Sequence, residues 1–251
     1  MMPDADVLSR ELDAALLARR EIQPLTKTHG AFDLPLAYEV QRRGLALRLA
    51  RGERVVGYKM GLTSAAKRAQ MSLPAPIYGV LTNGMQARGE LQVRDGVHPK
   101  VEPEIAFLTR HALTGTITRE EAFAALKSVA PALEVLDSRF AGFKYFSLPD
   151  VVADNCSSWR FVLGDWTAPR DPGGLSMRMS IDGCLAQEAD SNAISGHPLE
   201  SLVQLVAMLP HPLPAGSIVL AGAATAAVAL EPGMEIVLEV KALGAVRVRA
   251  T

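Results

Sequence analysis

Cysteine is nearly absent from this chain: only Cys156 and Cys184 occur in 251 residues. Two thiols give neither a disulfide framework nor a thiolate metal site. They fit a reducing, cytoplasmic setting in which both serve as packing residues. Long apolar runs are also missing, and none approaches the length of a membrane span. Nor is there an excess of either charge: 26 Lys and Arg stand against 27 Asp and Glu, a net charge of −1. No basic run is long enough to hold a phosphate backbone, so neither a nucleic-acid nor an acidic-membrane surface is indicated. The opening Met1-Met2-Pro3-Asp4-Ala5-Asp6 lacks the basic-then-apolar order of a signal peptide. What remains is an ordinary globular composition, 49% hydrophobic and 21% charged, with no internal repeat and enough length for a substantial core.

The first fifty residues read as helical. Leu8, Leu12, Ala15, Leu16 and Arg19 recur at helical spacing, as do Ala37, Val40, Leu45, Leu47 and Leu49 behind an Asp33 cap. The stretch from Gln23 to Gly30 between them reads as loop. From Arg54 onward, short apolar runs broken by Gly, Pro and Asn predict strands at 54–59, 77–81, 101–109, 132–136, 158–163, 175–181, 217–221, 235–240 and 244–250. Asp182-Gly183 signals a hairpin turn. Thr118 with Glu121 forms a capping box that opens one helix. Another follows His197-Pro198, with Leu199, Leu202, Leu205, Val206 and Leu209 on one face. The expectation is an α+β protein, with a helical N-terminal segment over residues 1–75 and a β-rich domain over 76–251.

Three acids stand out: Glu102 and Glu104 within Lys100-Val101-Glu102-Pro103-Glu104-Ile105, and Glu134 between Leu133 and Val135. Both stretches read as apolar strands, where carboxylates are costly to desolvate. Residues i and i+2 of a strand share a face, which sets Glu102 beside Glu104 at roughly 6–7 Å between Cα atoms. Like charges that close would leave one acid protonated. A hard cation taking oxygens from all three removes the conflict. The competing reading is a solvated face of a half-exposed sheet. The apolar neighbours of Glu134, and Pro103 with its preference for irregular or edge positions, favour the cation.

Lys59 ends an apolar strand and enters Gly61-Leu62-Thr63-Ser64. It is either a snorkelling surface side chain or an ammonium placed near anionic substrate groups or a transferred proton. The polar run Asp154-Asn155-Cys156-Ser157-Ser158 is either an ordinary turn or a cradle for a carboxylate. Arg139 could fork onto a carboxylate or neutralise the acidic cluster. His98 and His197 each precede proline, and no Ser/His/Asp arrangement emerges.

These pieces, in this order, resemble the fumarylacetoacetate hydrolase superfamily, in particular its branch of 2-hydroxypentadienoate hydratases and 4-oxalocrotonate decarboxylases. The resemblance rests on Gly57-Tyr58-Lys59-Met60-Gly61-Leu62-Thr63-Ser64, Ile77-Tyr78-Gly79, His98-Pro99-Lys100-Val101-Glu102-Pro103-Glu104-Ile105, Leu133-Glu134-Val135-Leu136-Asp137-Ser138-Arg139, Val152-Ala153-Asp154-Asn155-Cys156-Ser157-Ser158 and Gly196-His197-Pro198-Leu199. It implies a mixed β-sheet body with a helical N-terminal segment and a homo-oligomer. It also implies one Mg²⁺ or Mn²⁺ on Glu102, Glu104 and Glu134, with Lys59 as the active-site lysine and Arg139, Ser157 and Ser158 as substrate-binding residues. The wording around Lys59, with Met71 and Ile77-Tyr78-Gly79, is similar to decarboxylases, since hydratases usually carry an aspartate where Ile77 stands. The implied reaction is loss of CO₂ from a small 2-oxo dicarboxylate, 2-oxohex-3-enedioate, giving 2-hydroxypenta-2,4-dienoate in aromatic meta-cleavage catabolism. The alternatives are a hydratase acting on 2-hydroxypenta-2,4-dienoate and an idle scaffold for a paralogous hydratase, which an active form would also join in a complex. Pro103, in place of the usual alanine, and Ala221-Gly222-Ala223-Ala224-Thr225 depart from the family pattern.

Overall fold

The protein is described from a computed structural model covering residues 3–30, 32–63, 76–144 and 147–251. Ser64 and Met71, which carried part of the resemblance, lie outside the described residues, as does the expected boundary at residue 75. Two helices make the N-terminal layer. α1 (Ala5–Ala18) starts where the Asp4 carboxylate accepts the Asp6 N–H, and the third helix, α3 (Leu34–Ala50), starts where Asp33 accepts the Leu36 N–H. Leu8, Leu12 and Ala15 of α1 are buried together with Ala37 and Val40 of α3, as the spacing predicts, whereas Leu49 is exposed. The stretch read as loop contains one helical turn, α2 (Leu25–Thr28). Asp150, far along the chain, accepts the Thr26 N–H at 3.0 Å, a tertiary anchor that no local pattern reveals.

The body holds two sheets. The larger joins β1 (Val55–Gly61), β2 (Ile77–Thr82), β4 (Lys100–Thr109), β5 (Leu126–Leu136), β6 (Ser158–Leu163) and β9 (Ile218–Leu220) in the order β2-β1-β9-β4-β5-β6, with β10 (Val228–Ala229) also beside β4. The smaller runs β3-β12-β11-β7-β8, from β3 (Gly89–Leu91), β12 (Gly244–Ala250), β11 (Glu235–Val240), β7 (Ser176–Ile181) and β8 (Cys184–Asp190). β1 falls within the expected 1–75 segment, yet it pairs with β2 and β9 as part of the body. Among the described residues the remaining α-helices are α4 (Arg119–Ala124), opened by the Thr118/Glu121 capping box, α5 (Leu148–Ala153) and α6 (Pro198–Met208). The α+β expectation, a mixed-sheet body behind a helical N-terminus, describes this architecture.

Alternation along β4 sorts the two faces of the larger sheet. Val101, Ile105 and Phe107 enter the main core, which also takes in Leu202 and Leu205 of α6 and Ile236 and Val248 of the smaller sheet. Lys100, Glu102, Glu104 and Ala106 point the other way. The sheet curls toward that second face, because Ala87, just past β2, donates its N–H to Phe161 O of β6 at 2.9 Å. Leu81, Met85, Ala106, Ala132, Phe161 and Leu220 fill one end of the resulting enclosure. The acids occupy the other. Among the described residues, no helix is long and apolar enough to cross a membrane.

Candidate metal centre and its cavity

Register places the acids. β4 and β5 pair antiparallel with Glu102 opposite Glu134 and Glu104 opposite Ala132, so all three side chains leave the same face. Pro103 fits here for a specific reason. Its carbonyl accepts the Ala224 N–H on the side of β4 where β9 pairs only from Ala106 to Leu108 and β10 only at Lys100 and Val101. The missing proline N–H therefore faces a gap in the ladder and costs no strand hydrogen bond.

One carboxylate oxygen from each of Glu102, Glu104 and Glu134 lies within 4.8 Å of the others. Glu104 and Glu134 are fully buried, which rules out the solvated-face reading for them. Glu104 Oε1 has no hydrogen-bond partner, and Glu134 Oε1 has only the ion pair with Lys59. Burial, and then the neighbouring Glu134 carboxylate, drive the Glu104 pKa well above the usual range. The Gly222 N–H, 2.8 Å from Glu104 Oε2, works in the opposite direction. Glycine is needed at 222 because φ is +107° and a Cβ would stand 2.5 Å from Thr63. A buried, convergent, oxygen-only donor set with bare lone pairs fits a hard divalent ion.

Lys59 is buried on β1, so it is not a snorkelling side chain. Its Nζ stands 3.2 and 3.3 Å from the two Glu134 carboxylate oxygens. Burial disfavours the ammonium, but the attraction of Glu134, reinforced by Glu104 and Glu102, outweighs it and the pKa is raised. The cavity in front of these groups encloses about 380 Å³. Lys59, Glu102, Ser157 and Thr63 line it together with Met60, Leu62, Ile77, Leu136 and Val151, and Lys100 and Phe143 line it as well.

Ser157 arrives on an unusual turn. Asn155, Cys156 and Ser157 have φ of 49°, 54° and 59°, three successive left-handed residues that are not glycine. Such a run costs roughly 1–2 kcal/mol per residue and persists only where its surroundings fix it. They do: the Asn155 side chain accepts the Val80 N–H at 2.8 Å and donates to Val80 O at 3.0 Å, so it pairs with β2 as a short strand would. Cys156 Sγ donates to Tyr78 O, and burial pushes its thiol up to about 12, so it stays neutral. Ser157 Oγ is buried without a partner at the cavity wall.

Arg139 and Ser158 do not join this cavity. They line a separate void of about 50 Å³ facing α1 and α3. The Arg139 guanidinium is taken up by Asp154, with Nη2 2.5 Å from Oδ1 and 2.9 Å from the backbone carbonyl. Arg139 therefore ties the end of β5 to the left-handed turn through Nε and Nη2, while its Nη1 makes no hydrogen bond. Sequence reasoning also missed the Gly222 amide, the Lys100 side chain and Asp137, whose carboxylate accepts the Val97 and His98 N–H groups and fixes the entry to β4.

Residues 55–251 match the family described as fumarylacetoacetate (FAA) hydrolase C-terminal. The chain belongs to the fumarylacetoacetate hydrolase family. Within this family it is 46% identical over 250 residues to a 4-oxalocrotonate decarboxylase from a Pseudomonas species, covering 97% of each chain. It is 33% identical to a 2-keto-4-pentenoate hydratase from Paraburkholderia xenovorans, covering 95% of this chain and 92% of the other. A solved structure of the 4-oxalocrotonate decarboxylase from Pseudomonas putida G7, complexed with magnesium and adipate, matches with a TM-score of 0.95 at 34% identity, covering 98% of this chain and 97% of that one.

Proposed function

We propose that this member of the family is a carboxy-lyase that converts 2-oxohex-3-enedioate (4-oxalocrotonate) to 2-hydroxypenta-2,4-dienoate and CO₂. Glu102, Glu104 and Glu134 would hold one Mg²⁺ or Mn²⁺. Such an ion supplies Lewis acidity, worth several kcal/mol where negative charge gathers on an oxygen. The reaction needs that: electrons released from the broken carbon–carboxylate bond run through the conjugated double bond to the 2-oxo oxygen. Lys59 keeps a fixed positive charge beside Glu134, where the substrate's anionic end adds to a crowd of carboxylates. Ser157 Oγ offers a buried donor at the wall for orienting the substrate.

One observation carries the choice of reaction. The three carboxylates converge, and Glu102 among them lines a cavity whose wall is apolar at Ile77, which is buried. Adding water to a double bond requires acid–base groups next to the carbons involved, and isoleucine offers none. Loss of a carboxylate as uncharged CO₂ suits a dry wall. Similarity to a hydratase keeps water addition as the second reading. Purified protein given 2-oxohex-3-enedioate with Mg²⁺ should release CO₂, chelation should abolish the release, and Ile77→Asp should reduce it at least tenfold. Water addition to 2-hydroxypenta-2,4-dienoate without CO₂ release would reject the assignment.

The same reading covers a homo-oligomer and a complex with a paralogous hydratase that consumes the product. It also covers a cytoplasmic setting, in keeping with two cysteines that are both free.

A further inference from the structure

Lys100 is placed to read a second carboxylate. It lies on β4 two residues from Glu102, on the same face, and lines the same cavity. Its Nζ sits 4.1 Å from the centroid of the Phe143 ring, another wall residue, which holds the ammonium at the cavity margin. Among the described residues, Lys100 makes no ion pair with a carboxylate, and Lys59 is the only other cationic side chain lining the cavity. Lys59 is already committed to Glu134.

Formal charge shows what is left over. Three carboxylates, one divalent ion and the Lys59 ammonium sum to zero, so that set discriminates nothing between a monoanionic and a dianionic 2-oxo acid. Among the described residues lining the cavity, Lys100 supplies the one positive charge not paired with a carboxylate, set about 6–7 Å along the strand from Glu102. A substrate held by its 2-oxo acid end at the three acids and extended along the cavity toward the start of β4 would bring its distal end to Lys100. We infer that Lys100 is a specificity-determining residue that pairs with the distal carboxylate of the substrate and selects 2-oxo dicarboxylates over 2-oxo monocarboxylates. The inference rests on the reading of this cavity as a 2-oxo acid site.

A charge resting on the leaving carboxylate favours the ground state as much as the transition state, or more. Its contribution therefore falls on binding and selection, not on the chemical step.

The test uses a matched pair, 2-oxohexanedioate and 2-oxohexanoate, which share the 2-oxo acid end and chain length and differ in the distal group, carboxylate against methyl. Calorimetric titration of the Mg²⁺-loaded protein should show Lys100→Met losing about tenfold in affinity for the dicarboxylate and less than twofold for the monocarboxylate. Lys100→Arg, which keeps the charge, should retain the preference. With 2-oxohex-3-enedioate as substrate, the Lys100→Met defect should appear in KM and not in kcat. Equal losses for both ligands, or no loss for either, overturn the inference. Lys100→Arg guards against a folding artefact, because a preference lost there as well as in Lys100→Met also overturns it. If the wild type releases no CO₂ yet Lys100 still separates the ligand pair, the reaction assignment falls and this inference stands. If CO₂ is released and the pair is not separated, this inference alone falls.

Discussion

A single methyl group at position 79 should disable the site. Gly79 on β2 sits opposite Lys59 in the strand register, and the left-handed turn at 155–157 lies over it. A Cβ there would stand 2.7 Å from the Asn155 carbonyl oxygen and 3.3 Å from Lys59 Cε. Ordinary van der Waals contact begins near 3.5 Å, so something must retreat by roughly 0.7 Å or more. β2 cannot retreat easily, because it is laddered to β1 and gripped by the Asn155 amide. The displacement therefore falls on the turn that carries Ser157, or on Lys59 and its contact with Glu134. Overpacking of this kind costs about 1–3 kcal/mol. A shift approaching 1 Å in a positioned group can cost on the order of 100-fold in rate. Gly79→Ala should thus lower kcat for decarboxylation by about 10–100-fold and lower the urea midpoint. Gly61→Ala is the control: its Cβ would meet Ile77 Cγ1 at 3.1 Å, the movable part of a side chain, and the effect should be several-fold smaller. Wild-type kcat in Gly79→Ala, or equal damage from both variants, would refute the reasoning.

Two further outcomes follow from buried charge. Glu104→Gln removes one of two fully buried carboxylates that face each other, so the metal-free variant should melt a few degrees above metal-free wild type while losing the Mg²⁺-induced rise in Tm and at least 100-fold in kcat; a retained Mg²⁺ response would reject the ligand set. Burial, partly offset by Arg139, lifts Asp154 from 3.8 to about 6. Its folded pKa lies above the unfolded one, so its contribution to stability is complete below the unfolded value and is lost as pH rises through the folded value. Urea titrations from about pH 4 to about pH 7 should show the wild type losing roughly 2 kcal/mol relative to Asp154→Asn, and parallel curves would contradict this.

What was legible in the sequence was whatever depended on local pattern. Helix starts at Asp33 and Thr118, and the apolar runs of β4, β11 and β12, appear where spacing puts them. β5 begins at Leu126 rather than near 132, because Lys127 and Ser128 interrupt the apolar pattern while β4 still pairs alongside. β8 is an exposed edge strand, so its sequence carries no burial signal beyond the Asp182-Gly183 turn that leads into it. The carboxylate trio was readable because charge inside an apolar strand demands a reason. Lys100 was not, because a lysine at a strand end looks like any surface residue until the cavity is seen. Arg139 was readable as a residue that could fork onto a carboxylate, but its partner was not: Asp154 is fifteen residues on, across a turn whose left-handed geometry no composition announces.

The Gln41 amide on α3 donates to Tyr78 O and to Val152 O, each at 3.1 Å, and the helices share one apolar cluster with Ile77 and Cys156, which also line the reaction cavity. The back of the cavity wall is thus the inner surface of the N-terminal layer. A shortened chain beginning at β1, where the family match starts, would remove the Gln41 hydrogen bonds from both carbonyls and strip the packing from behind Ile77 and Cys156. The helices are not an appendage that could be swapped or trimmed; they are the far side of the cavity's partition.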